Sequence, residues 1–304
     1  MKRKWTPLFL VLVFVLSAWP AEAAFENLNV SPRSRAMGDA GVAVADDAYA
    51  PYLNPAILAE LSRNGIVTSY VRPYGLNFND LIYVGGAFPI NEKVGTIGFG
   101  LRHYGVSYEG VDLETESTIT LSHGIRLYSD LHSTVLFGYA LNGYGLEFGP
   151  TVGSNGDGST GGFDPGNDWA FGLDLALFAT LHERTRLGLL IKNINVPHIG
   201  IDNEEIPQRI NGGIAYKPYI GVIVTFEIES QLGQDMMLHG GLEAAIVDSF
   251  LLRFGVQSLP NKFMAGFRYA ISNFALDYGF STGGGTLDSS HQFGLSFTWG
   301  GQAE

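Results

Sequence analysis

Gln292-Phe293-Gly294-Leu295-Ser296-Phe297-Thr298-Trp299 decides the fold. Phe293, Leu295, Phe297 and Trp299 point one way, and Gln292, Gly294, Ser296 and Thr298 the other. This period of two marks a strand with one apolar face. Working back from Trp299 to Asn64, the pattern recurs about fourteen times, in segments of roughly ten residues separated by turns. A tilted strand of ~9–11 residues crosses a bilayer. Lipid cannot satisfy an open sheet edge, so such strands span a membrane only as a closed barrel.

The predicted fold is therefore all-β, a transmembrane antiparallel barrel of about fourteen strands occupying residues 64–304. The strands are expected at 64–73, 79–89, 94–104, 115–127, 132–142, 168–181, 185–194, 208–216, 220–229, 237–247, 249–257, 262–270, 272–281 and 290–299. Tight connections at Pro89–Lys93, Tyr128–Asp130, His182–Arg184, Lys217–Tyr219, Val247–Ser249 and Ala270–Ser272 alternate with looser ones, including Gly105–Glu114, Gly143–Asn167 and Asn195–Pro207. Outer-membrane barrels alternate short periplasmic turns with longer outer loops in this way. An even strand count then puts both termini in the periplasm. A soluble sandwich has no reason to keep that parity.

The alternation also assigns faces. Ile97, Phe99, Leu101, Val135, Phe137, Tyr139, Phe171, Leu173, Leu175, Phe250, Leu252, Phe254, Phe263, Phe267 and Tyr269 are expected toward lipid. The opposite phase carries Arg102, Arg126, Asp174, Arg209, Glu227, Glu229, Glu243, Arg253, Arg268 and Asp277. Charges of both signs keep to one face because each Arg on the lipid face would cost about 2–4 kcal/mol near the midplane. In the lumen they meet opposite charges and water. Structural filling of the lumen is the expected role for each, and ligand contact the minority one.

The N-terminus supports export. Lys2, Arg3 and Lys4 precede the apolar run Leu8–Leu16, and Ala21-Glu22-Ala23 supplies a small-x-small cleavage site, so residues 1–23 read as a signal peptide. The run is too short for a spanning helix, and no Cys follows the site to carry a lipid anchor. Cleavage removes three Lys/Arg and one Glu, so a net charge of −12 becomes −14. Such acidity argues against a nucleic-acid partner. Forty Gly, 12% aromatic residues and no Cys suit packed strands better than a helical enzyme, and a mean hydropathy of +0.12 suits a barrel with a polar interior.

Residues 24–63 do not alternate and cannot be the first strands. Gly38 and Gly41 allow tight backbone turns. Asp46 and Asp47 stand where they would cap a helix beginning at Ala48. Asn54 is a second cap, with Pro55 at the first helical position and Ala56 next in a short amphipathic turn. Small, apolar and adjacent to the barrel, this segment is expected inside the lumen as a plug, or hatch.

Arg35-Ala36-Met37-Gly38-Asp39-Ala40-Gly41-Val42-Ala43-Val44-Ala45-Asp46-Asp47-Ala48, followed by Tyr52-Leu53-Asn54-Pro55-Ala56, resembles the N-terminal signature of the PorV/PorQ family of outer-membrane proteins. That family is related to the FadL long-chain fatty-acid transporters, which share Asn-Pro-Ala after an Asp-Asp pair. Gly213–Tyr216, Leu252–Gly255, Ala265–Tyr269, Leu276–Tyr278 and His291–Phe297 are similar to the family's closing strands. The resemblance covers essentially the mature chain and implies fourteen strands with an N-terminal hatch. Its FadL branch implies entry of a hydrophobic ligand from outside and a shift of the hatch. Its PorV branch implies secretion, with exported proteins carried to a surface attachment complex. The chain departs from the FadL branch in having few long outer loops, and it continues past the usual terminal aromatic as Gly300-Gly301-Gln302-Ala303-Glu304.

Enzymatic constellations are missing from the sequence. There is no Gly-x-Ser-x-Gly elbow and no phosphate-cradling glycine loop, and the seven His show no metal-ligand spacing. Gly153–Gly158, with Asp164 and Asp168, is rich in oxygen but lacks the EF-hand order, so an outer loop is the simpler reading and neither metal nor cofactor is expected. The expectation is a non-enzymatic outer-membrane protein surrounded by outer-membrane lipid. It would pass hydrophobic or amphipathic small molecules, with Gly38, Gly41, Asp46, Asp47, Asn54, Pro55 and Ala56 forming the gate. The alternative is a PorV-like partner of exported proteins or secretion machinery.

Overall fold

Alternation of large apolar residues with small or polar ones makes every long segment from Asn64 to Trp299 a strand, and glycine, asparagine and aspartate reverse the chain between them. The computed structural model describes residues 25, 27–149, 162, 165–284 and 287–300. The signal peptide predicted at 1–23, the stretch 153–158 and Asp164 lie outside the described residues.

Fourteen antiparallel strands close into a barrel. They are β1 (Asn64–Val71), β2 (Asn79–Asn91), β3 (Gly95–Tyr108), β4 (Val111–Ser129), β5 (Ser133–Phe148), β6 (Asn167–Leu181), β7 (Thr185–Lys192), β10 (Arg209–Tyr216), β11 (Val222–Gln231), β12 (Met237–Val247), β13 (Phe250–Gln257), β14 (Lys262–Ile271), β15 (Phe274–Ser281) and β16 (Ser290–Trp299). A two-stranded hairpin, β8 (His198–Ile199) with β9 (Glu204–Glu205), lies outside the barrel sheet, in the connection between β7 and β10. β1 and β16 close the cylinder with Asn64 opposite Trp299 and Val71 opposite Gln292.

Two connections differ from expectation. The loop foreseen at Gly105–Glu114 is strand on both sides of a two-residue turn. Glu109 (φ 51°) and Gly110 (φ 81°) are both left-handed, the backbone that joins twisted hairpin strands most readily. Polar alternation around that turn hid the strands, because their outer ends face solvent on both sides. The connection foreseen at Gly143–Asn167 is likewise shorter, since β5 continues to Phe148. β3 to β6 are 14, 19, 16 and 15 residues long while β13 and β15 have 8 each, so the wall is raised on one side at the loop end. At the other end, side chains lock the tight turns. Asn91 Oδ1 accepts from the amides of Lys93 and Val94, and Asp130 Oδ1 from those of His132 and Ser133.

The outward face is an apolar belt in which Ile97, Leu101, Tyr139, Phe171, Phe254, Phe263 and Tyr269 are all exposed. No helix among the described residues is long and apolar enough to cross a membrane. This inverted distribution, apolar outside and charged inside, is the one a bilayer-spanning barrel requires.

Candidate functional site

Residues 27–63 fold inside the cylinder. Ser31 caps the short helix Pro32–Ala36, accepting from the Ser34 amide at 3.3 Å with Pro32 in the first position. The chain turns at Gly38 (φ +79°) and Gly41, passes through Val42–Ala45, and forms a second short helix, Ala50–Leu53. Asn54 is fully buried. Its Oδ1 accepts from the Ala56 amide at 3.0 Å, its Nδ2 donates to the Val42 carbonyl at 2.7 Å, and Pro55 opens the 3-10 helix Pro55–Glu60. The aspartate pair behaves differently from the sequence expectation. The second helix starts two residues later than foreseen, at Ala50, and its cap residue Tyr49 makes no side-chain cap bond. Asp47 instead accepts from the Tyr49 amide at 3.0 Å, and Asp46 is drawn away to two arginines. A buried guanidinium competes for a carboxylate more strongly than a helix amide does.

Glycines on the inner wall admit this segment. A Cβ on Gly255 would lie 2.0 Å from the Gly38 nitrogen, on Gly188 2.1 Å from the Val42 oxygen, on Gly138 2.3 Å from the Ala56 nitrogen, and on Gly279 2.6 Å from the Pro32 oxygen. These glycines stand on β13, β7, β5 and β15, so the hatch backbone touches the wall on opposite sides of the lumen. An apolar layer including Met37, Val42, Val44, Tyr49, Ile57, Leu58, Tyr83, Leu136, Phe178 and Leu190 seals the space between.

One ion network crosses the lumen. Arg186 of β7 reaches Asp46 Oδ2 at 3.1 Å, and Arg33 bonds Asp46 Oδ1. Arg33 also grips both oxygens of Glu243, Nε to Oε2 at 2.9 Å and Nη2 to Oε1 at 2.8 Å. Arg253, 1% exposed, donates to Glu243 at 2.7 Å and to Asp277 at 2.6 Å, and Arg268 reaches Asp277 at 3.4 Å. Burial alone would raise the Asp46 carboxyl, but Arg33 and Arg186 outweigh it and hold the group well below the usual carboxylate range. Asp47 moves the other way, because burial dominates and the neighbouring Asp46 charge adds to it.

A second set of contacts ties the hatch from other walls. Glu227 Oε2 accepts from the amides of Gly41 at 2.7 Å and Val42 at 2.9 Å. His239 Nδ1 lies 2.7 Å from the Gly38 carbonyl. Arg209 donates to Gln231 at 2.8 Å and to the Phe25 carbonyl at 2.9 Å. Other inward charges pair within the wall rather than with the hatch: Arg102 with Glu116 at 3.1 Å, while Asp174 accepts from Asn142 and from the Asn193 amide.

Arg126 keeps the inward phase, opposite buried Leu136, but stands at the turn-end rim of β4, exposed and 3.8 Å from exposed Glu92, just before a register shift. Arg33, Arg186, Glu116, His239 and Gln257 were missed in the sequence. For Arg33 a signal exists, since a cation within an apolar plug must find a carboxylate.

Two cavities flank the hatch. One of about 440 Å³ at the loop end is lined by Asn27, Tyr52, Lys192, Arg209, Glu229, His239, Gln257 and Lys262 among others. One of about 530 Å³ at the turn end is lined by Arg33, Asp46, Asp47, Arg63, Arg186 and Arg268 among others. At the raised rim, an apolar recess of about 470 Å³ lies between Leu146, Phe148, Pro165, Gly200 and Ile201.

No protein-family model matches the chain, and no curated protein does. Solved structures do. The Pseudomonas putida toluene transporter TodX is similar with a TM-score of 0.62 at 13% identity, covering 90% of this chain and 98% of its own. The CymD monoaromatic hydrocarbon channel gives 0.61 at 14% identity, with 90% and 98% covered. A Pseudomonas aeruginosa FadL homologue gives 0.55 at 12% identity, with 91% and 99% covered. At such identities the likeness concerns the fold: a closed, fourteen-stranded antiparallel barrel of the kind seen in these channels.

Proposed function

We propose that the protein is a non-enzymatic channel of the bacterial outer membrane, passing hydrophobic or amphipathic small molecules without energy input, with the N-terminal hatch as its gate. One observation carries this reading. The lumen is closed by the chain's own N-terminal segment, held by ion pairs and hydrogen bonds between two cavities, and bonds of that kind can exchange without any covalent change. The similar structures are a toluene transporter and a monoaromatic hydrocarbon channel, and the apolar recess at the rim supplies a first contact for such a molecule. In this reading the short-turn end faces the periplasm. The test is uptake of toluene and of longer-chain amphiphiles into proteoliposomes. Uptake above that of protein-free vesicles, increased by Asn54→Ala with Pro55→Ala, is the expected result. Uptake equal to the protein-free control in both proteins would reject the channel.

A second reading, a PorV-like partner of exported proteins or secretion machinery, draws on the raised wall, where Tyr108, Leu113, Phe148 and Trp169 are exposed. Stoichiometric co-purification of an exported protein in mild detergent, lost on replacing Tyr108 and Leu113 by Ser, would favour it over the channel.

A further inference from the structure

Phe25, where the hatch begins, is held more firmly than a loose tail needs. It is 4% exposed, its ring stands edge-on to Tyr144 at 5.0 Å, and Leu146, Ala170, Ile199 and Ile206 complete the cluster around it. Both of its backbone groups are taken by the barrel wall. The Phe25 amide donates to Glu116 Oε1 on β4, and its carbonyl accepts from Arg209 of β10 at 2.9 Å. The hatch thus starts at the loop end of the lumen and runs down to β1 at the turn end.

The amide side of Phe25 meets negative charge. Glu116 is 2% exposed and gives its other oxygen to Arg102 at 3.1 Å. Glu114, two residues nearer the rim, is half-buried at the outer end of β4. Burial and the like charges of Glu116 and Glu204 push its carboxyl up to about 7. A further cation beside Arg102 would relieve this repulsion.

The chain can supply one. Ala21-Glu22-Ala23 is the cleavage triplet read from the sequence. Hydrolysis adds water across the Ala23–Ala24 bond and leaves a carboxylate on Ala23 and an ammonium on Ala24. The nitrogen of residue 24 is three bonds from the Phe25 nitrogen, within about 3.7 Å of it, and the Phe25 nitrogen already sits on Glu116. The uncut chain has an uncharged amide at that atom.

We infer that removal of the leader after Ala23 creates a structural contact: the Ala24 ammonium docks on Glu116 and Glu114 and ties the start of the hatch to β4. Charge-assisted hydrogen bonds of this kind are roughly twice as strong as neutral ones. The contact depends on processing alone and is the same whatever the barrel passes.

The mature barrel, purified from outer membranes in mild detergent, is treated at neutral pH with an amine-acetylating reagent. The N-terminal peptide and exposed Lys93 are followed by mass spectrometry. An exposed α-amine, with an ordinary pKa of about 7.7–8.0 against about 10.4 for lysine, would be acetylated well before Lys93. The docked amine is slowed by about tenfold or more relative to the denatured chain, the worth of one hydrogen bond to a charged group. Glu116→Gln keeps an acceptor for the Phe25 amide, removes the charge and restores fast acetylation. Inserting Gly-Ser between Ala23 and Ala24 keeps the cleavage triplet and every barrel residue but moves the ammonium off the carboxylates. That variant is acetylated fast as well, and it decides the matter if Glu116→Gln does not assemble. A native α-amine that reacts as fast as in the denatured chain, or an N-terminal peptide that begins elsewhere than Ala24, overturns the docking. Protection that survives in either variant also overturns it, because enclosure in the lumen would then be the cause rather than the carboxylates.

Discussion

Arg33 in the hatch and Glu243 in the barrel wall, separated by 210 residues of sequence, are joined by two parallel charge-assisted hydrogen bonds of 2.9 and 2.8 Å. The planar fork of arginine matches both carboxylate oxygens, which sets orientation as well as attraction. Both side chains are more than nine-tenths buried, at 8% and 6% exposure. The pair therefore positions the hatch more than it stabilises the barrel, since two buried charges gain little net energy from each other.

Breaking one side of such a pair is costly. Arg33→Ala leaves Glu243 facing Arg253 alone and Asp46 facing Arg186 alone, with an expected loss of about 3–5 kcal/mol in hatch anchoring. Single-channel conductance in planar bilayers should rise, and protease should cut within residues 27–63 of the folded barrel. The double replacement Arg33→Met with Glu243→Leu removes both charges and should restore much of the protection. Equal leakiness of the single and double variants would show that the ion pair does not hold the hatch.

Asp46 and Asp47 are adjacent but opposite in behaviour. Asp46 is held below its ordinary range, so its contribution is present above the unfolded carboxylate value and is lost only as pH falls through the lower folded value. Asp47 is raised, so its contribution is present at low pH and is lost as pH rises through the elevated folded value. Asp46→Asn should lower the thermal midpoint at pH 7 and erase a loss of hatch anchoring seen only in strong acid. Asp47→Asn keeps an acceptor for the Tyr49 amide and removes a half-buried charge beside Asp46, so stability at pH 7 should hold or increase. Melting curves from strong acid to pH 8, read by the shift in gel mobility on heating, check both.

The barrel was legible because its period is a property of the chain itself. The strands expected at 237–247 and 290–299 are found with those bounds, and most others shift by one to four residues. Where alternation stops carrying information, reading fails. The outer ends of β3 and β4 face water on both sides, so nothing in their sequence distinguishes strand from loop. The inward charges share a phase that is easy to see, but which charge meets which depends on where the hatch crosses. Arg253 is assigned inward from its own strand alone, whereas its partner Glu243 follows from the β12–β13 register and its partner Asp277 from the reach of Arg253 across β14, where Gly266 stands opposite it, to β15. Helix Pro32–Ala36 is too short to leave a period at all, and Arg33 is understood only once the barrel around it exists.

Asn54 does two jobs in one buried position. Its Oδ1 closes the first turn of the 3-10 helix and its Nδ2 holds the Val42 carbonyl. Replacing it by Ala removes a cap worth about 1 kcal/mol and strands a buried carbonyl. Asn54→Asp keeps the cap acceptor, removes the donor and sets a carboxylate oxygen against the Val42 carbonyl, so it strikes the second function while sparing the first. We expect Asn54→Asp to leak nearly as much as Asn54→Ala in planar bilayers. If Asn54→Asp behaves as the native protein, the contact with Val42 has no part in holding the hatch.

The inner glycines give the sharpest separation between hatch and barrel. Gly255→Ala drives a methyl into the backbone of Gly38, and Gly188→Ala drives one into the Val42 carbonyl. In both cases the neighbour is backbone on one side and wall on the other, so neither can move aside cheaply. Overpacking of this kind costs about 1–3 kcal/mol. Gly212→Ala meets nothing within 4 Å, and Gly240→Ala meets only Val256 Cγ2 at 3.4 Å, so these two should melt like the native protein. If the hatch is the part that yields, Gly255→Ala and Gly188→Ala should raise leak conductance and protease cutting within residues 27–63 while the barrel's own midpoint, read by heat-modified mobility, stays close to native. A midpoint that falls without any added leak would mean that the wall yields first and that the hatch is fixed more firmly than the barrel enclosing it.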